Sequence, residues 1–133
     1  MKPTIVLDTN LLIAGRWNPR SISMRILELV ADGKVDAVYS PQIKDENLFI
    51  LGKVKAPKEF LDKVLKFYDR SRIIRPEKRI TASVDHSDNR FLEAAVEGGA
   101  DYVVSSDHHL LEVGEIEGVR IVKPSHFLKI IKV

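Results

Sequence analysis

No cysteine occurs anywhere in the chain, which excludes disulfides, thiol nucleophiles and cysteine-ligated zinc. No apolar run approaches the ~18 residues of a membrane span. The opening Met1-Lys2-Pro3 leads into a strand-like segment without the apolar core or cleavage site of a signal peptide. A cytoplasmic protein with no membrane association is therefore expected. Charge of one sign is also scarce. The 21 basic and 19 acidic residues leave a net charge of +2, too small by itself to imply nucleic-acid binding. No Gly-x-Gly-x-x-Gly follows the first apolar run, so dinucleotide binding is not expected. No His-x-x-x-His occurs, and the adjacent His108 and His109 would diverge on a turn, so both read as surface residues. Repeats, linkers and low-complexity segments are absent as well.

What is present describes a soluble globular chain. Its 133 residues, 44% apolar and 30% charged, suit one domain over residues 1–133. Short apolar runs rich in β-branched residues read as strands at Ile5–Leu7, Asp36–Tyr39, Arg72–Ile74, Tyr102–Ser105 and Val119–Val122. Helical spacing of apolar residues falls between them. Ser21–Asp32 carries Ile22, Ile26, Leu29 and Val30, with Gly33 as its stop. Ser40-Pro41 is a strong helix start, serine as cap and proline at the first turn, and that helix carries Ile43, Ile50 and Leu51 inward to about Gly52. Pro57 opens a helix with Phe60, Leu61, Val64, Leu65 and Tyr68 on one face. Ser87–Gly98 carries Phe91, Leu92, Ala95 and Val96. A short turn through Leu110-Leu111 precedes a loop from Gly114 to Gly118, and Pro124 starts a closing helix with Phe127, Leu128 and Ile131. Alternating strands and helices predict an α/β fold, a three-layer α/β/α sandwich with a central, mainly parallel five-stranded sheet.

In such a sheet the carboxyl ends of the strands share one edge, where ligands bind. Asp8 follows the first strand and Asp107 the fourth. Glu46 lies in the second turn of the helix after strand two, and Asp88 in the first turn of the helix leading to strand four. These four can converge near strand one. Four carboxylates do not stay ionised together without a counter-charge, and hard divalent cations are the natural partner. A site of this kind suits phosphodiester hydrolysis by a metal-activated water. Asp45 and Glu46 point about 100° apart on a helix, so one of them faces the site. The spacing from Ser40-Pro41 favours Glu46, and a helix starting one residue later would favour Asp45. The bland readings are a turn residue for Asp8, a solvated helix residue for Glu46, a helix-dipole role for Asp88 behind a capping Asp85, and a cap for Asp107.

Four segments in order resemble one known family. They are Leu7-Asp8-Thr9-Asn10, then Ser40-Pro41 with Glu46, then Asp88-Asn89-Arg90-Phe91-Leu92-Glu93-Ala94-Ala95, and finally Gly99 to Asp107 with Leu110-Leu111. Together they resemble the PIN-domain nucleases, in particular the stand-alone prokaryotic VapC-like toxins of toxin–antitoxin pairs, over the whole chain. The resemblance implies a PIN-like fold and a Mg²⁺- or Mn²⁺-dependent endoribonuclease. It places a catalytic and metal-binding quartet at Asp8, Glu46, Asp88 and Asp107, and it matches Asn10 and Ser105 to small polar residues that orient ligands and water, with Thr9 between the first two. An RNA substrate, products with 5′-phosphate ends, a homodimer and a cognate antitoxin are implied likewise.

Substrate contacts are read more loosely. Arg16 and Trp17 follow the first site loop, where a cation and an aromatic could hold a phosphate and stack a base, and Arg20 lies just beyond. Lys66, Arg70, Arg72, Arg75, Lys78 and Arg79 crowd one region. Of these, Arg72, Arg75 and Arg79 are candidates for phosphate contacts, although such stretches are more often solvated faces. Asp85, Glu93 and Asp101 read as solvated charges. Two other functions compete. One is a catalytically silent module that binds RNA or a protein partner. The other is a phosphatase with Asp8 as nucleophile, disfavoured because haloacid-dehalogenase-like phosphatases place a second aspartate two residues on, where this chain has Asn10.

Overall fold

Strand β1 (Thr4–Leu7) is buried on both faces. Ile5 and Leu7 point into one apolar cluster and Val6 into another, as alternation along a strand requires when helices cover both sides of a sheet. The computed structural model describes residues 2–14, 18 and 20–131. After β1 the described elements run α1 (Thr9–Ala14), α2 (Ile22–Ala31), β2 (Asp36–Tyr39), α3 (Pro41–Lys53), α4 (Lys58–Arg70) and β3 (Arg72–Ile73). A 3₁₀ turn (His86–Asp88) then leads into α5 (Asn89–Glu97), β4 (Tyr102–Val104), α6 (His108–Val113), β5 (Glu115–Ile116), β6 (Val119–Val122) and α7 (Pro124–Ile131).

The sheet order is β3-β2-β1-β4-β6-β5, parallel except for β5. Ile5 sits opposite Ala37 on one side and Tyr102 on the other, so β1 is central. Helices α2, α4 and α7 pack on one face through Ile26, Phe60, Val64 and Phe127, and α5 and α6 on the other through Leu92, Ala95 and Leu110. Helix α3 feeds both cores, Ile43 to one and Leu51 to the other. The expected three-layer sandwich is therefore present. Among the described residues no helix is long and apolar enough to cross a membrane.

The helix starts follow their caps. Ser21 Oγ accepts from the Met24 N–H and Ser40 Oγ from the Ile43 N–H, both at 3.2 Å, each satisfying a donor that the first helical turn leaves orphaned. Three details differ from expectation. The segment read as a loop from Gly114 to Gly118 contains β5, a sixth and antiparallel edge strand. It pairs with β6 through a two-residue turn in which Glu117 (φ 47) and Gly118 (φ 86) are both left-handed, the geometry of a primed hairpin turn. On α4, Phe67 is buried where Leu65 was expected, and Leu65 is exposed. On α3 the buried stripe is Ile43, Asn47 and Leu51, a polar residue included, with Ile50 only partly covered.

Candidate active site

The carboxyl ends of β1, β2, β4 and β6 meet at one edge, from which α1, α3, α6 and α7 set out. Asp8 stands at its centre. Its N–H donates to the Val104 carbonyl at 3.1 Å and its carbonyl accepts from the Leu11 N–H at 3.1 Å, so one residue ends the ladder and starts α1. Its carboxylate is 2% exposed. One oxygen accepts from the Asn10 N–H at 3.2 Å, and the other accepts from the Ser105 hydroxyl at 2.6 Å, a short charge-assisted bond. Burial pushes the Asp8 carboxyl above its usual range and the charge of Asp107 adds to this, despite the opposing bonds from Ser105 and Asn10.

Ser105 joins two of the acids. It is fully buried and its N–H donates to Val122 at 3.0 Å. Its hydroxyl oxygen accepts from the Asp107 N–H at 2.9 Å while donating to Asp8. Asp107 in turn caps α6, accepting from the His109 N–H at 2.8 Å. Its predicted capping and site roles are thus compatible. Asp88 arrives from the 3₁₀ turn ahead of α5. It is 7% exposed, and its Oδ2 is buried with no hydrogen-bond partner. Burial, then the charges of Asp107 and Asp85, a side-chain hydrogen bond with Asp107 and the charge of Asp8 push its carboxyl up to about 7. Asp85 caps that turn by accepting from the Ser87 N–H and hydroxyl at 3.0 and 2.7 Å.

The structure brings Asp8, Asp88 and Asp107 together and turns Glu46 elsewhere. Glu46 pairs with Arg90 of α5 and accepts from Gln42 Nε2 at 3.5 Å. The helix register explains which neighbour turns inward. Asn47 is buried and donates to the Tyr68 hydroxyl, so Glu46, one residue back, lies at the flank of the buried stripe and is half-buried. Asp45, a further 100° round, is exposed. Burial lowers the Arg90 guanidinium from its usual value and Glu93 opposes this.

The supporting residues divide in the same way. Thr9 is the first residue of α1, and the Asn10 side chain is exposed while its backbone holds Asp8. Arg16 and Trp17 lie outside the described residues. Arg20 is exposed in the turn before α2. Arg72 donates to the Gly98 carbonyl at 2.9 Å, closing the C-terminal end of α5, at the opposite end of that helix from Asp88. Lys78 pairs with Glu117 at 2.8 Å. Arg75 and Arg79 instead line a 270 Å³ groove with Ser40, Pro41, Gln42, Pro76, Arg90 and Glu93.

Two readings are corrected. Glu93 is a tether and not a solvated charge. Asn89, Glu93 and Glu97, four residues apart on one stripe of α5, accept from the N–H groups of Ser83, Ile80 and Glu77 at 2.9, 2.9 and 3.3 Å. The loop carrying Arg79 is thereby strapped along the helix. The i, i+4, i+8 spacing of these three acceptors was the signal for it. His109, read as a surface residue, is half-buried with an unpartnered Nδ1, while His108 is exposed.

An all-oxygen donor set with an unpartnered buried carboxylate oxygen fits a hard divalent cation. Among the described residues no three His, Asp or Glu side chains stand so as to enclose an ion by themselves.

Comparison with known proteins gives three matches. A family profile described as PIN domain matches residues 4–109. An uncharacterised protein of Methanocaldococcus jannaschii is 31% identical over 122 residues, covering 85% of this chain and 76% of its own. A chain in the crystal structure of VapBC2 from Rickettsia felis, bound to a DNA fragment from their promoter, superposes with a TM-score of 0.59 at 15% identity, over 89% of this chain and 96% of that one. That last likeness is one of fold.

Proposed function

Because the chain belongs to the PIN-domain family, whose members are typically nucleases, we propose that it is a Mg²⁺- or Mn²⁺-dependent endoribonuclease acting on single-stranded RNA through Asp8, Glu46, Asp88 and Asp107. The observation that carries this reading is the meeting of Asp8, Asp88 and Asp107 from three separate segments at one sheet edge, two of them held above the usual carboxylate range. When bound there, a divalent cation supplies an activated water and neutralises phosphate charge. The chain's own part is preorganisation. Ser105 and the Asn10 N–H fix the direction of Asp8. The α6 cap fixes Asp107, and Asp88 keeps one oxygen unbonded for a ligand. The test is incubation with unstructured RNA in Mg²⁺, Mn²⁺ or EDTA. Cleavage that needs the cation and leaves 5′-phosphate ends is expected; undiminished cleavage in EDTA, or 2′,3′-cyclic phosphate ends, overturns the mechanism.

Glu46 decides between this reading and a silent RNA- or partner-binding module, which its pairing with Arg90 favours. In the nuclease, Glu46 exchanges Arg90 for the reacting site. Glu46→Gln then lowers kcat by about 10²-fold, equivalent to about 3 kcal/mol of barrier, while Asp45→Asn, on the solvent side, changes it by less than about twofold. Equal rates for the two variants remove Glu46 from the site. The Rickettsia felis neighbour belongs to a VapBC2 assembly. With that likeness as support we assign the chain as the toxin of a toxin–antitoxin pair, with an antitoxin as partner; the family resemblance adds a homodimer, and a cytoplasmic location belongs to the same reading.

A further inference from the structure

We propose that the groove between the start of α3 and the strapped loop over α5 is a phosphate seat for the RNA strand, with Arg75 and Arg79 as its binding residues. This rests on the ribonuclease reading and adds where the strand lies. Several basic residues around the groove are already engaged. Arg72 is bound to Gly98 and Lys78 to Glu117. Arg90 faces Glu46 and Glu93, and Glu93 also holds the Ile80 N–H. Arg75 and Arg79 have no such carboxylate partner among the described residues, and both line the 270 Å³ groove.

The groove is built, not incidental. Its outer wall is the loop that Asn89, Glu93 and Glu97 strap to α5, so Arg79 is presented from a fixed backbone. A second hollow of 220 Å³ adjoins it, sharing Gln42, Arg79, Arg90 and Glu93 and adding Asn89. One wall adjoins the gathered acids through Asn89, and the other reaches Glu46. Asn89 follows Asp88 directly, and Gln42 lies one turn before Glu46 and bonds to it, a rise of about 6 Å along α3. A strand whose scissile phosphate sits at the acids and that runs on past the start of α5 brings another of its phosphates to the Arg75 and Arg79 guanidiniums, which bind phosphate through paired N–H donors.

The experiment measures binding of a fluorescent, unstructured RNA of about 12 nucleotides, within the range of single-strand binding sites, across a series of salt concentrations. Asp8→Asn protein in Mg²⁺ is the parent, so that RNA stays intact. Adding Arg75→Ala and Arg79→Ala should weaken binding about tenfold and reduce the slope of log K against log salt by about 0.7, the value for one lost phosphate contact on a single strand. Lys66→Ala with Arg70→Ala on α4 removes the same charge elsewhere and should leave the slope unchanged. An unchanged slope in the groove variant, or an equal loss in both pairs, overturns the seat; cation-dependent cleavage by the wild type then leaves the ribonuclease reading standing. If the parent binds no RNA and the wild type cleaves none, both fall together.

Discussion

Asp8→Asn is expected to abolish cleavage and to leave the metal-free protein as stable as the wild type or slightly more so at neutral pH. The side chain is buried and central, so the ordinary expectation for altering it is loss of stability. Its bonding pattern argues otherwise. Asparagine keeps an oxygen for the Asn10 N–H, and its amide can donate to Ser105 Oγ, whose two lone pairs accommodate it beside the Asp107 N–H. The direction of the pKa shift decides the sign. Asp8 is held above its usual range even though two hydrogen bonds favour its charged form, so its surroundings disfavour the charge overall and a neutral side chain of the same shape relieves them. Activity should fall by about 10³-fold or more, equivalent to at least about 4 kcal/mol of transition-state stabilisation. Divalent cation should raise the wild-type melting temperature by mass action and the variant's by less. Melting both proteins in EDTA and in Mn²⁺, beside a cleavage assay, tests this. Clear destabilisation without metal would make Asp8 a structural hydrogen-bonding residue.

The pH dependence of stability should be dominated near this edge by Asp88. Its carboxyl is held at about 7 against 3.8 for the ordinary group, by burial first and then by Asp107, Asp85 and Asp8. Between those values the native state binds more protons than the unfolded chain, so stability falls as pH rises. The contribution is complete below 3.8 and is lost by the time pH passes about 7. Asp88→Asn removes it. In EDTA the wild type should lose several degrees of melting temperature relative to Asp88→Asn over this window, and the two curves should run parallel above it. The midpoint belongs to the set of facing carboxylates and not to Asp88 alone. Parallel curves throughout would mean that Asp88 titrates as an ordinary carboxyl. With a divalent cation the order should reverse, because the wild type alone keeps a full ligand.

The parallel strands and their caps were legible because each has a local cause. β-branched apolar runs mark β1, β2, β4 and β6, and Ser40 caps α3 as its place before Pro41 requires. β5 was not legible. A two-residue edge strand exists because β6 lies beside it, and its turn places a glutamate, Glu117, at positive φ, where Asn or Asp would have announced a hairpin. On α4 the inward face depends on the angle at which it meets α2, so Phe67 and Leu65 exchange places. Asp8, Asp88 and Asp107 could be placed because strand ends and helix starts fix them to an edge. The environment of Glu46 could not, since it is set by two residues that read as ordinary. Asn47 looks polar and surface-bound until Tyr68 of another helix meets it, and Arg90 is one cation among many until α5 packs beside α3. The strap over α5 left only half a signal: its acceptors Asn89, Glu93 and Glu97 stand four apart on one stripe, but its donors are backbone N–H groups, which carry no sequence signature.

The bond from Ser105 to Asp8 spans 97 positions of chain, and this sets a clock. β1 precedes β2 and β4 in the sequence yet lies between them in the sheet, and the acids gather only once the segment carrying Asp107 has been made. Until then Asp8 stands without its companions. Non-local parallel pairing is also slow to form, so the meeting of Asp8 with Ser105 and Asp107 is among the late events of folding.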